Sequence, residues 1–99
     1  MQVAVELDPE VADEAPSGNA ITPYDEQHYV TYLRLLDANR DGADWQEVAR
    51  IVLHRDPMAE EERSRRCWES HLARAQWLSR SGYRRILEQA VALAARSGR

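Results

Sequence analysis

The stretch GADWQEVARIVLHRDPMAEEERSRRCWESHLARAQWL, residues 42–78, decides the fold. Asp44 precedes a run in which Trp45, Val48, Ala49 and Val52 recur at helical spacing, and Glu47 sits at the capping-box position, so a short helix reaches to near His54. Asp56-Pro57 ends it. Asp offers a new cap and Pro suits a first turn, which predicts a further helix from Met58 to Glu60 as far as Ser81, with Gly82 as its C-terminal cap. Glu60, Glu61 and Glu62 in the first turn of that helix, and Arg74 and Arg80 towards its end, complement the helix dipole. Its inner line reads Trp68, Leu72, Ala75 and Ser79, flanked by His71 and Leu78. A short helix, a connection of roughly five residues and a longer helix with an Arg-studded first half make the layout of a helix-turn-helix with an enlarged turn.

Outward from this stretch, Thr22-Pro23 with Asp25 is a capping box for a helix from Pro23 to Asn39, whose stripe is Tyr29, Tyr32, Leu33 and Leu36. Asn39-Arg40-Asp41-Gly42 stops it. On the other side, Tyr83 to Ala95 carries Tyr83, Ile86, Leu87, Ala90 and Ala94 on one face. No segment sustains strand alternation; Val3 to Leu7 alternates briefly but finds no partner strand later in the chain. Residues 1–20 hold five acids, no Arg and the linker-like Pro16-Ser17-Gly18-Asn19. The expected fold is therefore all-α: a four-helix domain over residues 22–96 with an extended-turn variant of helix-turn-helix, preceded by a disordered acidic N-terminal tail over residues 1–21.

A chain of 99 residues fits one domain, and its 43% hydrophobic content supports one small core. The longest apolar run, Ala90 to Ala95, falls far short of the roughly 18 residues of a membrane span, and the start MQVAVELDPE lacks a basic signal region. The single Cys67 excludes an internal disulfide. Together these predict a cytoplasmic protein. The net charge of −4 hides an asymmetry: residues 1–62 hold four Arg and fifteen acids, a net of −11, while residues 63–99 hold nine Arg and two acids, a net of +7. Every cation except the chain terminus is Arg. Such a division points to a charged interaction surface, for nucleic acid or protein.

Catalysis finds little support. His28, His54 and His71 fall on different predicted helices with no second ligand at a recognised spacing, and no Gly-rich phosphate loop is present, so no catalytic residue, metal site or cofactor is assigned. Cys67 reads as a small buried hydrophobe. Arg63, Arg65, Arg66, Arg74, Arg80, Arg84 and Arg85 suit phosphate or guanine, or pair with Glu60 to Glu62 and Glu69 as a solvated face. Against DNA stand Glu60, Glu61 and Glu62, three carboxylates where a recognition helix meets phosphates. Trp77 lies roughly opposite Trp68, beside Arg63, Arg66, Ser70 and Arg74; it packs under the last helix or anchors an interface. Tyr24, His28 and Leu35 widen the apolar arc of the first helix and face either the tail and last helix or a partner.

Three runs, TPYDEQHYVTYLRLLDA (22–38), GADWQEVARIVL (42–53) and RSRRCWESHLARAQWLSRSGYRRIL (63–87), resemble a proteobacterial extended-turn helix-turn-helix domain. That domain occurs as the DNA-binding C-terminal half of transcriptional activators of integrative and conjugative elements, and alone as an antiactivator. The resemblance to the stand-alone type implies a monomer that binds the N-terminal domain of an activator, blocking element excision and conjugative transfer in a quorum-sensing setting, with no DNA and no membrane as partner. Tyr24, His28, Leu35, Arg63, Arg66, Arg74 and Trp77 are then the expected partner-binding residues, and Glu60 to Glu62 the turn that repels DNA. The alternative is a helix-turn-helix DNA-binding regulator using the Arg-rich second half, with steep salt dependence and a requirement for Arg65 and Arg66.

Overall fold

The computed structural model describes residues 4–97, and its first helical segment breaks at His28. Thr22 caps α1 (Pro23–Gln27) as the capping box requires: its hydroxyl accepts from the Asp25 N–H (3.2 Å), and Asp25 Oδ2 accepts from the Thr22 N–H (2.8 Å). The single helix expected from Pro23 to Asn39 then divides, because the His28 backbone (φ −106°, ψ 20°) leaves helical geometry before α2 (Tyr29–Arg40) begins. The His28 ring is committed on both sides. Nδ1 lies 2.7 Å from Tyr24 O, and Nε2 lies 2.6 Å from Glu10 O in the N-terminal segment.

Asp44 caps α3 (Trp45–Ile51) by accepting from the Gln46 and Glu47 N–H groups. The connection to α4 (Glu61–Leu78) runs from Val52 to Glu60, longer than expected from sequence. His54 turns the chain out of α3 in the left-handed region (φ 58°), and Asp56 Oδ1 accepts from the Met58 and Ala59 N–H groups to shape the entry to α4. Beyond α4 the junction Ser79–Tyr83 pivots on Gly82 (φ 85°, ψ 11°) into α5 (Arg84–Ser97). Helix α4 lies between α2 and α3, and α5 folds back on α2. No strand occurs among the described residues, and of the briefly alternating Val3–Leu7 segment Val3 lies outside them. No helix is long and apolar enough to cross a membrane.

The core joins Tyr29, Tyr32 and Leu35 of α2, Val48 of α3, and Cys67, Leu72, Ala75 and Leu78 of α4 to Leu87 of α5. Two faces are rotated from the sequence reading. Leu35, expected on a partner surface, is 1% exposed, whereas Leu33 and Leu36 of the expected stripe are only partly buried. On α4 the buried line includes Ser64, Cys67, His71, Arg74, Ala75 and Leu78, while Trp68 sits at its margin and Ser79 beyond its end.

The acidic segment expected as a disordered tail has no regular structure from residue 4 to Thr22, yet it is strapped across the helices by their side chains. Arg55 Nη2 donates to Val11 O (2.6 Å), Cys67 Sγ to Ala12 O (3.4 Å), and Arg74 to Gly18 O (2.8 Å) and Ala20 O (2.7 Å). In return the Ala12 N–H donates to the Tyr24 hydroxyl and the Ala15 N–H to Ser70 Oγ. Asp8 pairs with His54 and Arg34, and Asp13 bridges Arg55 and Arg63; of these contacts Asp13–Arg63 joins the negative first half to the positive second half, and the others lie within the first half.

Candidate functional site

Helix α4 presents a solvent-exposed row at helical spacing: Glu62, Arg65, Arg66 and Glu69. With Trp45 at the start of α3 and Glu61, this row lines an open depression of about 390 Å³. Arg65 is held there. Its guanidinium carbon lies 5.0 Å from the Trp45 ring centroid and 5.7 Å from that of Trp68, and its Nε donates to Glu69 Oε2 at 3.1 Å. The two indoles lean on each other at 5.9 Å, locking the start of α3 to the middle of the row. Trp45 and Trp68, both assigned from sequence to the interior, thus also back an exposed arginine, and Trp45 lines the depression itself. Their aromatic spacing on two helices was visible in the sequence, but which neighbour of Arg65 would face them was not.

The expected DNA-repelling turn is altered by its contacts. Glu60 Oε2 accepts from Arg63 Nη1 (3.1 Å), so one of the three carboxylates is neutralised within its own turn, and Glu61 and Glu62 remain exposed. Arg63 is shared further: its Nε donates to Asp13 Oδ1 (2.9 Å), and this contact holds the Asp13 carboxyl below its ordinary pKa. Arg66 is exposed on the same helix.

The other expected partner-binding residues converge instead on a buried polar centre. Arg74, 4% exposed, donates from Nη2 to Asp25 Oδ2 (2.8 Å) and from Nε to Asp25 Oδ1 (3.1 Å), a two-pronged pair sealed beneath the strap. Tyr32 adds its hydroxyl to Asp25 Oδ1 at 2.7 Å. Burial works to raise the Asp25 pKa, but the bonds from Arg74, Thr22 and Tyr32 prevail and hold it below the ordinary value. Burial and the Asp25 charge drive the Tyr32 hydroxyl the other way, so it stays a donor. Trp77 lies under Arg74 (4.3 Å) and against Tyr83 (5.9 Å) at the entry to α5.

Tyr24 and His28 are likewise inward. The rings stack at 3.8 Å, and the Tyr24 hydroxyl donates to His71 Nε2 at 2.6 Å. His71 Nδ1 donates to Cys67 O (2.8 Å), fixing the neutral tautomer, and burial lowers its pKa to about 4. Burial also pushes the Cys67 thiol up, which leaves it protonated and unreactive. Of the seven residues expected on a partner surface, only Arg63 and Arg66 are exposed; Trp77 is half-buried, and Tyr24, His28, Leu35 and Arg74 serve the interior and the strap seat. The sequence left Tyr24, His28 and Leu35 between the tail or last helix and a partner, and the structure gives them the interior and the tail; for Arg74 the partners, Gly18 O and Asp25, are not recognisable from helical periodicity.

Comparison with known proteins adds one assignment. The family model RovC_DNA-bd, described as "T6SS, Transcription factor, DNA binding domain", matches residues 2–88, strap included. No curated protein matches the chain. The match overturns the expectation that DNA is not a partner. That expectation read carboxylates near a helix start as a barrier, whereas Glu60 is paired and the row beyond it carries Arg65 and Arg66.

Proposed function

The chain belongs to the RovC_DNA-bd family of transcription-factor DNA-binding domains, and on that premise we propose that it binds duplex DNA as a transcription regulator. In this reading α3, the long connection and α4 act as an extended-turn helix-turn-helix, with the row of α4 against the major groove and α3 near the backbone. The supporting observation is the exposed Glu62, Arg65, Arg66 and Glu69 row on the longer helix. Its acids do not argue against DNA, since a carboxylate in the major groove can accept from cytosine N4 while arginine addresses guanine. They do lower phosphate affinity, so the domain relies on base contacts more than a uniformly basic helix does.

Fluorescence anisotropy of labelled duplexes over a salt series tests this. Binding should weaken with a log–log slope of several units, and Arg66→Ala should reduce that slope by about 1 if Arg66 meets a phosphate. A folded protein that retains no duplex even at low salt would end the reading.

A second reading gives the domain a protein partner as well: the N-terminal domain of a transcriptional activator, engaged as an antiactivator restraining transfer of a conjugative element. It draws on the three resembling runs and on two exposed apolar residues, Ile51 at the end of α3 and Met58 within the long connection. The family match, which names DNA, ranks it second. An activator fragment that co-elutes with the domain, and is lost with Ile51→Glu, would support it.

A further inference from the structure

We propose that Arg65 is the guanine-reading side chain of this domain, and that Glu69 and the indoles of Trp45 and Trp68 are positioning residues that set its fork. This deepens the DNA reading above and rests on it. A guanidinium has one Nε edge and two Nη donors. Arg65 spends the Nε edge on Glu69 (3.1 Å), inside its own helix one turn on, and this leaves the paired Nη groups as the outward edge. The two indoles, 5.0 and 5.7 Å from the guanidinium carbon, limit how the plane can turn. With the fork oriented before DNA arrives, less rotamer freedom is lost on contact. Guanine is the base that displays two acceptors, O6 and N7, to such a fork.

The other arginines of this region are differently engaged. Arg63 is shared between Asp13 and Glu60, Arg55 between Asp13 and Val11 O, and Arg74 is buried on Asp25. Arg66 is exposed but has no aromatic or carboxylate support that fixes its direction among the described contacts. Arg65 alone combines half-exposure (49%) with an oriented fork at the floor of the α3–α4 depression. The presence of Glu69 beside it is a cost for any purely electrostatic role, because it cancels the charge that phosphate binding would use. As a buttress it has a use.

The test is selection of the full chain against a random-sequence duplex pool, followed by competition between the enriched duplex and a copy in which one G·C pair is replaced by A·T. The wild type should enrich a motif with at least one invariant guanine. Arg65→Lys should lose roughly tenfold or more of the discrimination at that guanine while still retaining duplex at low salt. Glu69→Gln is the decisive variant. Removal of a negative charge by itself tightens DNA binding, so a loss of guanine discrimination with equal or tighter binding to the pool supports positioning. Trp45→Ala should give the same loss of discrimination. An Arg65→Lys motif identical to that of the wild type, or a Glu69→Gln protein that binds more tightly with unchanged preference, overturns the proposal while the DNA reading stands. A wild-type protein that retains no duplex overturns both.

Discussion

Asp25 illustrates how one side chain can be legible for one duty and hidden for another. Its place three residues after Thr22 announced a capping box, and the box is present. The same carboxylate also receives Arg74 from a helix almost fifty residues away and the Tyr32 hydroxyl, contacts that no local pattern encodes. Because the pair is buried, breaking it strands a charge: Asp25→Asn or Arg74→Ala should destabilise the fold by about 3–5 kcal/mol, read from urea-denaturation midpoints. A surface role for Arg74 predicts no such change.

His71 makes a second residue-scale prediction, in pH. Its folded-state pKa is lowered from 6.5 to about 4 by burial, so as pH falls below 6.5 the unfolded chain takes up a proton that the folded chain refuses. Stability should decline between pH 6.5 and 4, by about 3 kcal/mol in all, and level off for this group below 4. Asp25, depressed below 3.8, then contributes stability that is lost as pH falls further. His71→Gln should flatten the upper stage of a denaturation series from pH 7 to 4; an unchanged slope would place the proton on another group.

At the scale of elements, caps and stops were the readable part of the sequence. Thr22-Pro23, Asp44 and Gly82 each mark a boundary that the structure uses, whereas Asp56 holds a turn inside the connection and α4 begins after Glu60 with no side-chain cap. Rotation about the helix axes was read less well. On α4 Trp68 suggested the inner line with His71 at its flank; His71 is inside, and Ser64 and Arg74 are inside with it. Two of these polar side chains are admitted because hydrogen-bond partners await them, His71 with Cys67 O and Tyr24 and Arg74 with Asp25 and strap carbonyls. The α1–α2 break at His28 was missed for the same reason. Gly82 adds a prediction here: its φ of 85° is costly for a residue with a Cβ, and nothing lies within 4 Å of the added atom. Gly82→Ala should therefore lower stability by about 1–2 kcal/mol through backbone strain without a packing clash, and Gly82→Asn by less.

At the scale of the whole molecule, the charge division along the sequence does not become a division between faces. Asp13 of the strap and Glu60 meet Arg63, and Asp25 meets Arg74, so acids of the first half offset part of the positive charge of the second, while Asp8 pairs with Arg34 and His54 of its own half. The family match begins at residue 2, consistent with the strap belonging to the domain. Deletion of residues 1–20 should lower the melting temperature by several degrees and strip partners from Arg74, His28, Tyr24 and Cys67 at once. An unchanged melting curve would show that these contacts contribute nothing net.

The strap is gripped chiefly by its main chain: Glu10, Val11, Ala12, Gly18 and Ala20 each offer a carbonyl oxygen, a group every amino acid possesses. Its composition can accordingly drift through evolution while its path endures, since replacing one side chain leaves the grip in place. Proline is the exception at Ala12 and Ala15, whose amide hydrogens are in use. A segment of this kind evades any reading that searches for hydrophobic rhythm, and descendants of this domain should share the groove it occupies long after they have ceased to share its letters.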